Sequence, residues 1–132
     1  DYAEAYQNRG VAQMTLGNDD LAMADFIRAI QLPSHNDRPY LHRGTIKHRR
    51  GNLDGAVDDY SKALDRNPVL EAAWFNRAVA LRQLGHLASA VSDLEVSHRL
   101  SPESRETKTL LELTRQELAA SSTMVIPAPF SR

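Results

Sequence analysis

Five histidines, at positions 35, 42, 48, 86 and 98, are the residues of this chain best suited to bind a metal or relay a proton. No two of them stand four apart beside a glutamate, the spacing that puts paired imidazoles and a general base on one helix face. The chain has no cysteine, so thiolate ligands, thiol nucleophiles and disulfides are excluded. Serines and carboxylates are plentiful, but catalysis needs a nucleophile, a base and a stabilising group within mutual reach, and their spacing converges on no such set. The sequence therefore predicts neither an enzyme nor a metal or cofactor site. Two charge patterns remain. The run Lys47-His48-Arg49-Arg50 taken alone resembles a nucleic-acid or nuclear-import patch, and Arg9, Arg43 and Arg77 are each followed by Asp25, Asp59 and Asp93 at a constant step of 16. Sixteen basic residues against seventeen acidic ones give a net charge of -1. No positive field accompanies the basic run, and no nucleic acid or membrane surface is expected as a partner.

The constant step points to the elements that carry these residues. Asn8-Arg9-Gly10 returns as His42-Arg43-Gly44 and as Asn76-Arg77-Ala78, and Gly17, Gly51 and Gly85 keep the same interval of 34. Three repeats follow, 3–36, 37–70 and 71–104, without an insertion. Within each, a glycine divides two helical stretches, because the residue past a helix C-terminus commonly needs positive φ. First helices are predicted near 3–16, 37–50 and 71–84, and second helices near 19–32, 53–66 and 87–100. A seventh helix over 102–120 carries Leu110, Leu111, Leu113 and Leu118 on one stripe, as a cap on the last hairpin should. In this frame the basic run is the last turn of a helix, where cations complement the dipole. Each arginine faces its aspartate across a hairpin, so pairing is favoured over an arginine ladder for an anionic ligand.

Further columns agree: Tyr6, Tyr40 and Trp74; Ala22, Ala56 and Ala90; Phe26, Tyr60 and Leu94; Ala29, Ala63 and Ser97; Pro68 and Pro102. Together they resemble the tetratricopeptide repeat, over residues 3–104. Arginine stands at 9, 43 and 77 where that family usually has leucine, and Gln13, Lys47 and Leu81 stand where it usually has tyrosine. The resemblance implies an all-α, right-handed superhelical solenoid over 1–120, with the first helix of each repeat lining a concave groove for a peptide. The groove positions are Asn8 and Val11 from the first repeat, Arg38, His42, Thr45 and Arg49 from the second, and Phe75, Asn76, Val79 and Arg82 from the third. Two readings of the column Asn8, His42 and Asn76 stay open: amides that pair with an extended peptide backbone, or amides that bond only to neighbouring helix side chains.

Some relatives hold the C-terminal carboxylate of heat-shock chaperones with lysine, asparagine and arginine. The matching positions here are Gln7, Val11, His42, Ala72 and Asn76, none of them cationic, so no such clamp is expected. Arg38, His48, Arg49 and Arg82 would favour an acidic segment instead. The chain starts Asp1-Tyr2-Ala3-Glu4 with no signal-peptide pattern, and reads as a piece of a longer, cytoplasmic protein. A linker-like tail, 121–132, follows the cap. Its apolar, proline-containing stretch Met124 to Phe130 resembles a groove ligand, and the tail or an exposed N-terminal edge could join copies into a homo-oligomer. The leading expectation is a non-catalytic scaffold that binds a partner protein; the alternative is a structural stretch of a longer or self-associating solenoid.

Overall fold

The computed structural model describes residues 1–123 and residue 129. Seven α-helices follow one another there: α1 (Tyr2–Thr15), α2 (Asp19–Gln31), α3 (Arg38–Arg49), α4 (Leu53–Arg66), α5 (Glu71–Gln83), α6 (Leu87–Leu100) and α7 (Arg105–Thr123). Strands are absent among the described residues. Each helix packs on the next in sequence, and α1 touches α3 as α3 touches α5, which is the nearest-neighbour order of a solenoid. The expected seventh helix starts three residues later than its leucine stripe suggested, because Pro102 and Glu103 form the turn that leads into it, and it runs on through Ser121 and Ser122 to Thr123. The rest of the tail lies outside the described residues, apart from Pro129.

Glycine sets the hairpin turns. Gly17, Gly51 and Gly85 adopt φ of 83°, 81° and 83°. At the middle turn the Gly51 N–H donates to the His48 carbonyl at 3.0 Å and the Asn52 N–H donates to that of Lys47 at 2.9 Å, the paired bonds that close a helix through a left-handed residue. Asn52 then opens α4, its side-chain oxygen accepting the Gly55 N–H at 3.0 Å. One residue thus follows the stop of a helix and caps the start of the next.

Size complementarity sets the helix pairs. A Cβ on Gly10 would lie 2.7 Å from the Phe26 ring, and one on Gly44 would lie 2.8 Å from the Tyr60 ring. The third hairpin has Ala78 opposite Leu94, and both are fully buried. Glycine faces an aromatic and alanine faces leucine, so summed volume is kept while its division changes. Ala22, Ala56 and Ala90 are likewise 0% exposed and let the hairpins close.

Two predictions follow from this geometry. Gly51→Ala should cost about 1 kcal/mol, lowering Tm by about 4 °C. Nothing lies within 4 Å of the added methyl, so the whole cost is backbone strain; a melt identical to the parent would contradict the left-handed turn. Gly10→Ala should cost about 1–3 kcal/mol by overpacking, and adding Phe26→Leu should recover part of that loss, measurable in urea unfolding of the single and double variants.

Candidate functional site

The three arginine–aspartate pairs are bidentate. Arg9 donates to Asp25 at 2.9 and 2.7 Å, Arg43 to Asp59 at 2.9 and 2.7 Å, and Arg77 to Asp93 at 2.7 and 2.8 Å. Each guanidinium also lies over the aromatic ring three residues before it, 5.5 Å from Tyr6, 5.7 Å from Tyr40 and 5.0 Å from Trp74. These arginines are therefore engaged in their own hairpins by carboxylate and ring together. The environments differ. The Arg9 side chain is 63% exposed, whereas Asp59 is fully buried between Arg43 at 2.7 Å and Lys47 at 3.0 Å. The hydrogen bond to Asp59 pushes Arg43 further above its already high ordinary pKa.

The basic run is consumed in the same manner. Lys47 pairs with Asp59, Arg49 with Asp19 at 2.8 Å, and Arg50 with Asp20. The last two bonds tie the C-terminal end of α3 to the N-terminal end of α2 and join consecutive repeats. His48 Nε2 lies 2.6 Å from the Gln83 amide oxygen.

A hollow of about 740 Å³ opens among α3, α5 and α7, with Tyr60 of α4 also lining it. Thr45, His48 and Arg49 form one wall, Phe75, Asn76 and Val79 the next, and Arg105, Glu106, Thr109, Leu110 and Leu113 the third. Leu113 is 43% exposed, while Phe75 and Leu110 rest partly buried on the third-hairpin core of Ala78, Val91, Leu94 and Leu111. The cap thus doubles as a groove wall. Five of the ten groove positions read from sequence, Thr45, Arg49, Phe75, Asn76 and Val79, meet here.

The other five lie elsewhere. Asn8 and Arg38 line a separate polar hollow with Asp1, Glu4, Ser34 and Asn36. Val11 packs toward Phe26 and Ile46. His42 stacks on Phe26 with centroids 5.3 Å apart, and burial, then the nearby Arg38 charge, holds its pKa below the ordinary value. Arg82 forms an ion pair with Glu117 of α7. Asn8, His42 and Asn76 therefore share a repeat column without sharing a cavity. Sequence reasoning passed over Tyr60, Arg105, Glu106 and Thr109; Leu110 and Leu113 were seen as capping residues, and the apolar stripe of α7 was the signal available for a third wall.

Among the described residues no group of three or more metal-ligating side chains is placed to hold an ion, and no helix is long and apolar enough to cross a membrane.

Comparisons with known proteins agree with this geometry. Two tetratricopeptide-repeat family profiles match, one over residues 43–104 and one over 3–36. The chain belongs to the tetratricopeptide repeat family. Among solved structures, the first such domain of Spaghetti (RPAP3), bound to the HSP90 peptide SRMEEVD, superposes with a TM-score of 0.85 at 23% identity over 89% of this chain and 94% of that one. The TPR2B domain of yeast Sti1, in complex with an Hsp70 peptide, does so at 0.80 and 21% identity over 88% and 98%. The TPR domain of Arabidopsis OM64 gives 0.82 at 21% over 88% and 96%. At these identities the likeness shows the fold. No curated protein sequence matches the chain significantly.

The ion-pair environments generate the next prediction. Asp59→Asn should cost about 3–5 kcal/mol in urea unfolding, since it strands two cations over a buried site. Asp25→Asn should cost clearly less, because water reaches Arg9; equal losses would contradict the burial difference. A further one concerns pH. A folded-state pKa depressed at His42 means that the unfolded chain binds more protons just below the ordinary imidazole value of about 6.5. Stability is then full above that value and falls as pH drops through the folded pKa. His42→Gln should flatten this part of the stability profile between about pH 7.5 and pH 5.

Proposed function

We propose that this chain is a non-catalytic interaction module that holds a peptide segment of a partner protein in the groove between α3, α5 and α7. The observation that carries this reading is the apolar lining of that groove, where Phe75, Val79, Leu110 and Leu113 lie beside the amide of Asn76 and the hydroxyls of Thr45 and Thr109. Such a mixture of apolar contact surface with a few orienting polar groups suits peptide anchoring. Solved domains of similar fold include ones bound to chaperone peptides ending in EEVD, which supports the groove as a peptide site. The chemistry of the occupant differs here. At the positions that match the family's carboxylate clamp, Gln7 is buried and accepts from Asn36, Val11 and His42 pack on Phe26, and Ala72 and Asn76 carry no charge. Arg49 and Arg82, two of the cations expected to favour an acidic segment, already have carboxylate partners. The reading is therefore a peptide anchored by bulky apolar side chains rather than by a terminal carboxylate.

Selection from a displayed random-peptide library, followed by titration calorimetry, tests this. Selected peptides should carry aromatic or aliphatic anchors, and Val79→Arg should weaken them by at least about tenfold, the scale of one lost apolar anchor, with Tm unchanged. Raising salt from about 0.1 to about 0.3 M should alter affinity by less than about threefold. Binding that survives Val79→Arg, or a requirement for a free C-terminal carboxylate, would overturn the proposal.

A further inference from the structure

Tyr2, Ala5, Arg9, Ala12 and Leu16 follow one another on α1 at alternating steps of three and four, which puts them on one helix face. We infer that this face is a second docking surface, separate from the groove, and that it takes a single amphipathic helix of a partner protein with a carboxylate set against Arg9.

The later repeats hold the same face covered. Ala5 is followed in its column by Pro39, Ala73 and Thr107, and Ala12 by Ile46, Ala80 and Thr114. All six of these later residues are buried, where α3, α5 and α7 rest on α2, α4 and α6. Ala5 and Ala12 are exposed. The arginine column changes with them, for the Arg9 side chain is 63% exposed while those of Arg43 and Arg77 are 16% and 21%. At the ends of the face Tyr2 and Leu16 are 82% and 74% exposed. The far end of the stack is finished differently. There α7 carries Glu112 in the column where Gly10, Gly44 and Ala78 admit a second helix, and a charge at that place closes the end to further packing. The small positions of the α1 face carry no such charge.

The covered copies also give the chemistry of the cover. Met23 of α2 and Val57 of α4 supply apolar contact to the clusters that Ile46, Ala73 and Ala80 complete. Arg77 adds a polar requirement: its Nε and Nη2 hold Asp93, while Nη1 donates to the Ser61 hydroxyl of α4 at 3.1 Å. Arg9 likewise holds Asp25 through Nε and Nη2, and its Nη1 makes no hydrogen bond among the described residues. A second guanidinium, that of Arg28 on α2, lies 5.9 Å from the Tyr6 ring that Arg9 also faces. Arg28 has no ion-pair partner among the described residues. Two cations beside one carboxylate favour an acidic side chain over a hydroxyl at the place that Ser61 holds for Arg77. A second copy of the chain does not meet these terms. Its α2, α4 and α6 are already covered by α3, α5 and α7, and α1 laid against α1 would set Arg9 opposite Arg9. The cover is therefore a helix of another protein.

A synthetic peptide of residues 53–70 serves as the probe. Its exposed Asp58 and Lys62 side chains, 2.9 Å apart in α4, are joined as a lactam, because so short a helix is marginal in water by itself. Ser61→Asp in the peptide supplies the carboxylate. Added to the isotope-labelled full chain, the probe should shift the amide signals of Ala5, Arg9, Ala12 and Leu16 and leave those of Phe75 and Val79 in place. Ala12→Glu in the chain, at an exposed helix position, should keep Tm within about 2 °C of the parent and weaken binding at least about tenfold. A probe with Ser61→Lys in place of Ser61→Asp should also bind at least about tenfold more weakly, the scale of one close charge pair. Shifts at Phe75 and Val79 instead, whether the probe enters the groove or displaces α4, would overturn the inference. Equal affinities for the two probes would do the same, as would no binding at all. Sedimentation equilibrium of the full chain alone should give a monomer; a dimer that Ala12→Glu dissociates would assign the face to a second copy and overturn the partner helix.

Discussion

The constraint on which this fold depends is that no single hairpin can bury its own apolar face. Ile46 of α3 is 0% exposed because it closes the cluster formed by Ala22 and Phe26 of the preceding hairpin. In the same way Ala73 and Ala80 of α5 complete the cluster around Tyr40 and Tyr60. At the end of the stack Leu111 of α7 performs that service for Ala78 and Leu94. Burial thus passes from each repeat to the next, and a half-repeat at the end is needed to finish it. The groove is a geometric result of this stacking. First helices meet first helices along one side, and α7 takes the place that a fourth first helix would hold.

Charge is arranged inside that apolar frame with unusual regularity for residues that are costly to bury. Arginine replaces the leucine common at this family position, and it does so in all three repeats with an aspartate partner and an aromatic ring, tyrosine in the first two repeats and tryptophan in the third. An arginine alone at the seam between two helices would be a penalty of several kcal/mol. Held bidentately on one side and faced by an aromatic on the other, it fixes how the two helices of a hairpin slide against each other, because the planar fork accepts only one alignment of the carboxylate. Lys47 adds a second cation to the most buried of these sites. It stands at the column where Gln13 and Leu81 stand in the other repeats, so the middle hairpin carries the densest charge network.

Much of the fold was legible because the period is strict. Glycine with positive φ marks every hairpin turn, and small residues face large ones at a fixed step, so helix limits could be read to within about three residues. The arginine–aspartate pairs were legible for the same reason, since sixteen residues within one repeat is a repeating relation. Contacts between repeats were not. Arg49 with Asp19 spans 30 residues and Arg82 with Glu117 spans 35, and neither recurs in another repeat. The groove was half legible. Repeat columns name the walls on α3 and α5, but the columns imply a continuous surface along all first helices. The structure divides it, because His42 stacks on Phe26 and Val11 packs beneath, leaving a polar hollow at one end and an apolar one at the other. The third wall lies on a helix outside the repeat count.

That division bears on what a shared backbone can say about function. A solved domain with a TM-score of 0.85 and 23% identity shares the fold with this chain, while the side chains that line a groove choose its occupant. Here the positions that would offer positive charge are occupied by glutamine, valine, histidine, alanine and asparagine, and two of the arginines that remain near the apolar groove are satisfied from within the chain. Each such internal pair subtracts a charge from recognition while it adds order to the stack. On the proposed reading, a groove whose Arg49 is engaged by its own scaffold, and which keeps Arg105 on its third wall, draws its affinity mainly from apolar contact, and apolar contact is non-directional. Under that proposal, discrimination between partners would come from shape, through the spacing of Phe75, Val79, Leu110 and Leu113, and from the few polar groups at Thr45, Asn76 and Thr109 placed to orient a backbone between them.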